Sequence, residues 1–551
     1  MIGVIANSGD HGTVREFFEL FKTPWEFYRS DRRYQVLLCA GDAKFSRTAA
    51  ELVIIYACSK TLFDPEEEIA SQRRSTILSY KKGRIPIYEG SITFRHKGLE
   101  ILKDEISHGS AGYLQKSNGS VLARMGYDLF REVRTLLTKG QPSANASMPA
   151  LEMHITLLRD LIIGCEIPLL EIPPVPDGYP FIACLTHDVD HPSIRLHKWD
   201  HTMFGFLYRA LLGSLINLVR GRAPVRSLFT NWRAVVMLPF VHLGLVKDFW
   251  HEFDRYVAME KGLASTFFVI PFKDDPGRTA AGQAPAMRAS RYGASDIADR
   301  ISMLVGAGCE IGLHGIDAWV DSSKGREEQE QVTRITGQAE IGIRMHWLYL
   351  DEKSPETLEK AGFSYDSTSG YNETIGYRAG TGQAYKPLEA TRLLELPLHV
   401  MDTALFYPCY LDLSPRQARK QVGGIIDNAV RFGGTVTVNW HDRSIAPERL
   451  WDEFYLNLLT GLKRRQAWCS TAAQAVAWFR KRRSASFETV SWEPGVVRVK
   501  VSVDGDEKLA GLRLRIHRAG CLPRDGAMGT DASESYVDIG FNRRIDTRVS
   551  I

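Results

Sequence analysis

The hydrophobic positions change their period twice along the chain. Up to about residue 175, short β-branched runs alternate with stretches of helical spacing. Residues 14–27, 121–137 and 151–164 place apolar side chains at helical intervals, whereas 34–39, 52–56 and 85–88 read as strands. From about 180, apolar runs of strand length alternate regularly with amphipathic ones. The runs are 181–186, 265–271, 309–314, 342–350, 393–398 and 434–440, and helical patterns such as 249–261, 295–306, 325–338, 355–361 and 415–432 lie between them. That alternation predicts parallel β/α units closed, or partly closed, into a barrel. Past about 485 the pattern turns to strict alternation at 496–503 and 512–516, as in half-buried antiparallel strands. The expected fold class is therefore α/β, with three parts. An N-terminal α/β accessory domain takes 1–178, a distorted parallel β/α barrel takes 179–485, and a small β domain takes 486–551.

The barrel stretch carries the chemistry. Its first run, FIACLTHDVDH (181–191), passes from apolar residues into His187, Asp188, Asp190 and His191. Carboxylates are seldom buried unless paired or bound to metal. The third run ends at His314 and the fourth holds Arg344 and His346. The fifth is followed by Asp402 and the sixth by His441 and Asp442. Titratable groups at equivalent strand ends converge on one rim of a barrel, where active sites of this architecture sit.

Composition narrows the reading. A formal net charge of +4 over 551 residues does not call for nucleic acid. The eight cysteines are scattered, with no CxxC pair, which points to a reducing compartment. The start, MIGVIANSGDHG, lacks a secretory pattern, and no uninterrupted apolar run looks long enough to span a bilayer. A cytoplasmic protein is expected. Residues 202–246 are apolar and basic with few acids; they form either an interfacial helix making peripheral membrane contact or an ordinary helix packed on the barrel.

In order and spacing, LTHDVD, HGIDAW, RMHWLYL and VNWHD resemble the motifs of the polysaccharide deacetylases of carbohydrate esterase family 4 over roughly 180–480. Segments such as IGYRAGT and ELPLHVMD are similar to those of deacetylase-like proteins from surface-polysaccharide gene clusters. The resemblance implies a metal-dependent hydrolase that removes an N-acetyl or similar small acyl group from an amino sugar or lipid-linked glycan intermediate. It implies Asp188 as general base, Arg344 as its partner, His441 as general acid and Asp402 as the residue orienting His441. The family's adjacent Asp-Asp is here Asp188-Val189-Asp190, with Asp190 on the metal. The family's second metal histidine falls at Ala318, which cannot ligate. His346, where proline is usual, is the substitute, giving Asp190, His314 and His346 around a divalent ion: zinc first, cobalt or nickel as alternatives. Trp440, Tyr371 and Arg378 are the candidate substrate contacts. The competing expectation is a catalytically inactive glycan-binding or scaffold protein of a polysaccharide assembly system.

Overall fold

The computed structural model describes residues 1–41, 50–64, 69–81, 83–117, 119–279, 281–493, 495–505, 507–518 and 536–550. The chain divides into two compact units. A terminal unit comprises Met1–Gly178, Tyr377–Leu388 and Ala477–Ile551, and a barrel unit comprises Tyr179–Gly376 and Glu389–Val476.

The terminal unit is built on an 11-stranded mixed sheet with the helices His11–Phe21, Leu129–Thr138 and Ala150–Gly164. Two elements differ from their sequence reading. The helix expected over 14–27 ends at Phe21, because Lys22 turns left-handed (φ 48°) and Trp25–Phe27 joins the sheet beside Ile2–Ile5. The helix expected over 121–137 is half strand. Ser120–Met125 pairs in parallel with Ala50–Tyr56, and the helix starts only after Asp128, whose carboxylate accepts from the N–H groups of Phe130 and Arg131. A short run buried on both faces has no period that separates strand from helix. The 486–551 stretch, read as a domain of its own, groups with the N-terminal residues, since Leu512–His517 pairs antiparallel with Leu169–Glu171.

The barrel unit is a parallel sheet of β1 (Ile182–Val189), β2 (Ser265–Val269), β3 (Glu310–Gly315), β4 (Ile343–Met345), β5 (Tyr365–Asp366), β6 (Leu394–Glu395), β7 (Val400–Met401), β8 (Thr435–Asn439) and β9 (Trp468–Ser470). Its order is β6-β5-β4-β3-β2-β1-β8-β7, with β9 on the first half of β1. The ends of that order meet. Residues 394–401 leave β5 and join β8: Leu396 N–H donates to Asp366 O (2.8 Å), Leu398 N–H to Ser369 O (2.9 Å) and His399 N–H to Thr437 O (3.1 Å). The sheet thus closes through one irregular stretch, the distorted barrel expected. β1, β2 and β8 are buried throughout, as strands covered on both faces are. Where β4 starts, Gly342 is obligatory, because a Cβ there would lie 2.0 Å from the Tyr365 ring.

The insert after β1 is a helical hairpin. Its first arm, continuous from His201 to Val219 with a π-helical stretch at Arg209–Gly213, is 19 residues long. By length and composition it could cross a membrane, which corrects the sequence reading that no such run exists. Arg209 interrupts the apolar letters but not the helix. The second arm is Val225–His242.

Candidate functional site

The side-chain alternation of a strand sets the site. Successive residues of a strand face opposite sides, so Thr186, Asp188 and Asp190 form one set and His187 and Val189 the other. Asp188 is buried and doubly held: Arg344 Nη1 donates to its Oδ1 (2.9 Å) and Asn439 Nδ2 to its Oδ2 (2.7 Å). Arg344 is itself fully buried and fixed. It donates to Thr186 Oγ1 (2.7 Å), Ser367 O (3.0 Å) and Ser367 Oγ (3.0 Å), and its guanidinium lies over the Phe268 ring.

Asp190 faces three imidazoles. Its Oδ1 lies 3.4 Å from His314 Nε2 and 3.7 Å from His346 Nε2, and its Oδ2 lies 3.7 Å from His441 Nε2. One donor atom each from Asp190, His314 and His346 falls within 4.8 Å of the other two. The residues fit a metal ion on three counts. Asp190 Oδ1 is buried without a hydrogen-bond partner. His314 Nδ1 donates to the Arg344 carbonyl (2.9 Å), which leaves the Nε2 lone pair facing Asp190. The 3.4 and 3.7 Å separations from Asp190 Oδ1 lie near the edge of a tetrahedron with bonds of about 2.0–2.1 Å, roughly 3.3 Å. Burial disfavours the ionised form of Asp190, yet the surrounding histidines hold its carboxyl well below the usual range. Burial also pushes His346 well below the ordinary imidazole value, keeping it a neutral donor.

His346 is aimed by its backbone. Trp347 (φ 65°) and Leu348 (φ 55°) both take left-handed conformations, uncommon for such residues. Arg288, buried, donates from Nη2 to the carbonyls of His346 (2.9 Å) and Ile316 (3.1 Å). Asp317, on the loop after β3, accepts from the Arg278 N–H (2.7 Å).

His441 is prepared as an acid. Asp402 accepts its Nδ1–H (2.6 Å) and its backbone N–H (2.7 Å). Burial lowers the His441 pKa, but the carboxylates of Asp402, Asp190 and Asp188 together outweigh it, Asp402 most of all, and raise the value to about 10. Ser444 also donates to Asp402, and Arg449 Nη1 donates to Ser444 Oγ (3.1 Å).

Other candidates stand elsewhere. His187 lies between the Trp440 carbonyl (2.7 Å) and Glu260 (2.9 Å) and stacks on Phe267, so it packs and does not ligate. His191 faces His197 (3.2 Å). Trp440, expected as a sugar wall, is fully buried and stacked against Phe454 and Tyr455, so it belongs to the core. Tyr371 is buried too. Arg378 falls in the terminal unit, where its carbonyl accepts from Gln141 N–H (2.7 Å). Sequence reasoning missed Asn439, Ser367 and Arg288, which orient the reacting groups. It also missed Trp347, a partly exposed aromatic beside His346.

No family model and no curated protein matches the chain. Solved structures do. A protein designated a polysaccharide deacetylase from Mycobacterium smegmatis is 18% identical, covering 56% of this chain and 95% of its own, at a TM-score of 0.33. The chain is similar to polysaccharide deacetylases. A second, from Pseudomonas aeruginosa PAO1, is 15% identical over 59% of this chain and 98% of its own, at 0.35. A CE4 family pseudoenzyme from Bacillus anthracis is 10% identical over 54% and 66%, at 0.28.

Proposed function

We propose that the barrel unit is a metal-dependent deacetylase. It removes an N-acetyl or similar small acyl group from an amino sugar, free or in a lipid-linked glycan, during polysaccharide biosynthesis. The observation that carries this reading is one constellation. Three metal donors converge between a carboxylate locked by Arg344 and Asn439 and an imidazole charged by Asp402. Free thiols at the seven described cysteines support a cytoplasmic setting; Cys521 lies outside the described residues.

Asp190, His314 and His346 would hold the ion. A divalent cation there supplies Lewis acidity to the acyl carbonyl and acidifies the attacking water. Asp188 accepts that water's proton. Its Oδ2 lies 3.8 Å from His314 Nε2, beside the donor cluster, and the Arg344 and Asn439 hydrogen bonds keep the carboxylate oriented. His441 gives its Nε2 proton to the leaving nitrogen as the C–N bond breaks, because Nδ1 is committed to Asp402. The products are a free amine on the sugar and a carboxylate.

The test is release of acetate, with formate measured in parallel, from N-acetylated hexosamine oligosaccharides and lipid-linked N-acetylhexosamine. The metal-loaded wild-type chain should release acetate. Asp188→Asn and His441→Ala should each lower the rate by about 10²–10⁴-fold. No release of either acid by the metal-loaded chain, together with retained glycan binding, would favour the inactive scaffold reading.

A further inference from the structure

The helical hairpin inserted between β1 and β2 carries two apolar faces where a surface helix needs one. The inner face is used. Met203, Phe206 and Ala210 of the first arm and Ala234, Leu238 and Val241 of the second form a buried cluster with Trp250 and Ala446. The outer face repeats the same helical spacing. On the first arm it runs through Phe204, Tyr208, Leu211, Leu215 and Val219, and on the second through Val225, Phe229, Trp232, Val236 and Phe240. These side chains are exposed: Phe229 is 68% accessible, Val236 67% and Leu243 at the end of the second arm 72%. Large apolar side chains recurring at i, i+4, i+7 and i+11 make a continuous stripe, not scattered surface residues. A stripe of this kind marks an interaction surface.

Charge selects the partner. Between Lys198 and Lys247 the chain holds seven Lys or Arg residues and one acid, Asp200. Arg220, Arg226 and Arg233 are exposed along the same hairpin. A second copy of the chain would bring these like charges face to face. An anionic lipid surface satisfies both features at once. The apolar stripes enter the acyl boundary, arginine stems extend to the phosphates, and Trp199 and Trp232, both exposed, suit the interface. The arm from His201 to Val219 is long and apolar enough to cross a bilayer. However, its inner face is packed on Trp250 and Ala446, so lipid cannot surround it.

We infer that the hairpin docks the barrel unit onto the surface of an anionic lipid bilayer, lying in the interface without crossing it. This docking does not depend on the reaction proposed above. If both hold, the hairpin starts eleven residues after Asp190, and Trp250, which its inner face covers, has its ring 6.1 Å from that of His191. The docked surface then continues into the loops that carry the site.

The test is co-sedimentation of the full chain with phosphatidylcholine vesicles with and without phosphatidylglycerol, at low and high salt. The wild type should partition onto the anionic vesicles, more weakly onto neutral ones, and more weakly at high salt. The triple variant Phe229→Glu/Val236→Glu/Leu243→Glu should lose at least about tenfold in partitioning. It should keep the wild-type melting temperature, because the changed side chains make no core contact. The pair Arg226→Gln/Arg233→Gln should lose the preference for anionic lipid while retaining neutral binding. Absence of wild-type binding to anionic vesicles would overturn the inference. So would equal binding by the folded triple variant, or a vesicle-free dimer that the triple variant dissolves, since a second copy would then cover the face.

Discussion

Asp402 binds one residue twice: its carboxylate accepts both the ring Nδ1–H and the backbone N–H of His441. The first bond fixes the tautomer and charge of the imidazole, and the second fixes where the ring starts from. Asp402→Asn removes the strongest of the influences that raise His441, leaving the weaker pull of Asp190 and Asp188 against burial, which lowers it. His441 is the acid form below about pH 10 in the native protein, so the alkaline limb of kcat/KM lies high. In Asp402→Asn the limb should move to lower pH, and activity at neutral pH should fall by about 10²-fold or more. A pH–rate profile at equal metal loading checks both. A limb that stays in place would separate His441 from proton donation.

The Asp188–Arg344 pair is buried on both sides, so its two ends should fail differently. Arg344→Met leaves a buried carboxylate without its cation and should cost about 3–5 kcal/mol of stability. Asp188→Asn keeps the volume and removes the base. It should lower turnover by about 10²–10⁴-fold. Stability should fall too, because buried Arg344 loses its counter-charge, but by less than in Arg344→Met, since the amide oxygen can still accept from Arg344. Denaturant melts of the two variants, alongside acyl-release rates, distinguish these outcomes.

Much of this rim was legible because strand alternation writes itself into the sequence. Asp188-Val189-Asp190 puts both carboxylates on one face, which adjacent aspartates on a regular strand would not do. The same rule explains the error at Trp440. It stands between Asn439, which holds Asp188, and His441, and therefore points to the opposite side, where Phe454 and Tyr455 cover it. The orienting residues were invisible for a different reason. Ser367 and Asn439 are ordinary polar letters, and only the closed ring brings them to Arg344 and Asp188. In the terminal unit, the short antiparallel strands Ile69–Arg73, Thr76–Tyr80, Ser91–Phe94 and Leu99–Asp104 escaped notice, whereas Gly83–Ile87 was legible. Half-polar runs of four to six residues give weak periodic signals.

Deep in the barrel, Asp366 and Glu395 are register partners on the adjacent strands β5 and β6. Burial raises both, Asp366 to about 6, and the proximity of Asp366 pushes Glu395 further. The sign follows from the raised values. Below the unfolded values of about 4 both states are protonated and the pair costs nothing. As pH rises through the folded values the native state resists deprotonation and stability is lost. Glu395→Gln should flatten the fall in melting temperature between about pH 5 and 8 relative to wild type. A parallel fall in both proteins would exclude the pair as its source.

The central claim, that Asp190, His314 and His346 bind one divalent ion, is tested most directly by calorimetric titration of metal-stripped protein with zinc, cobalt and nickel. The arrangement predicts one ion per chain in the wild type. It predicts loss of that site in Asp190→Ala and in His314→Ala, and weakening by about 10–100-fold or more in His346→Ala. Binding that survives all three substitutions, or no binding by the wild type at any loading, would contradict it.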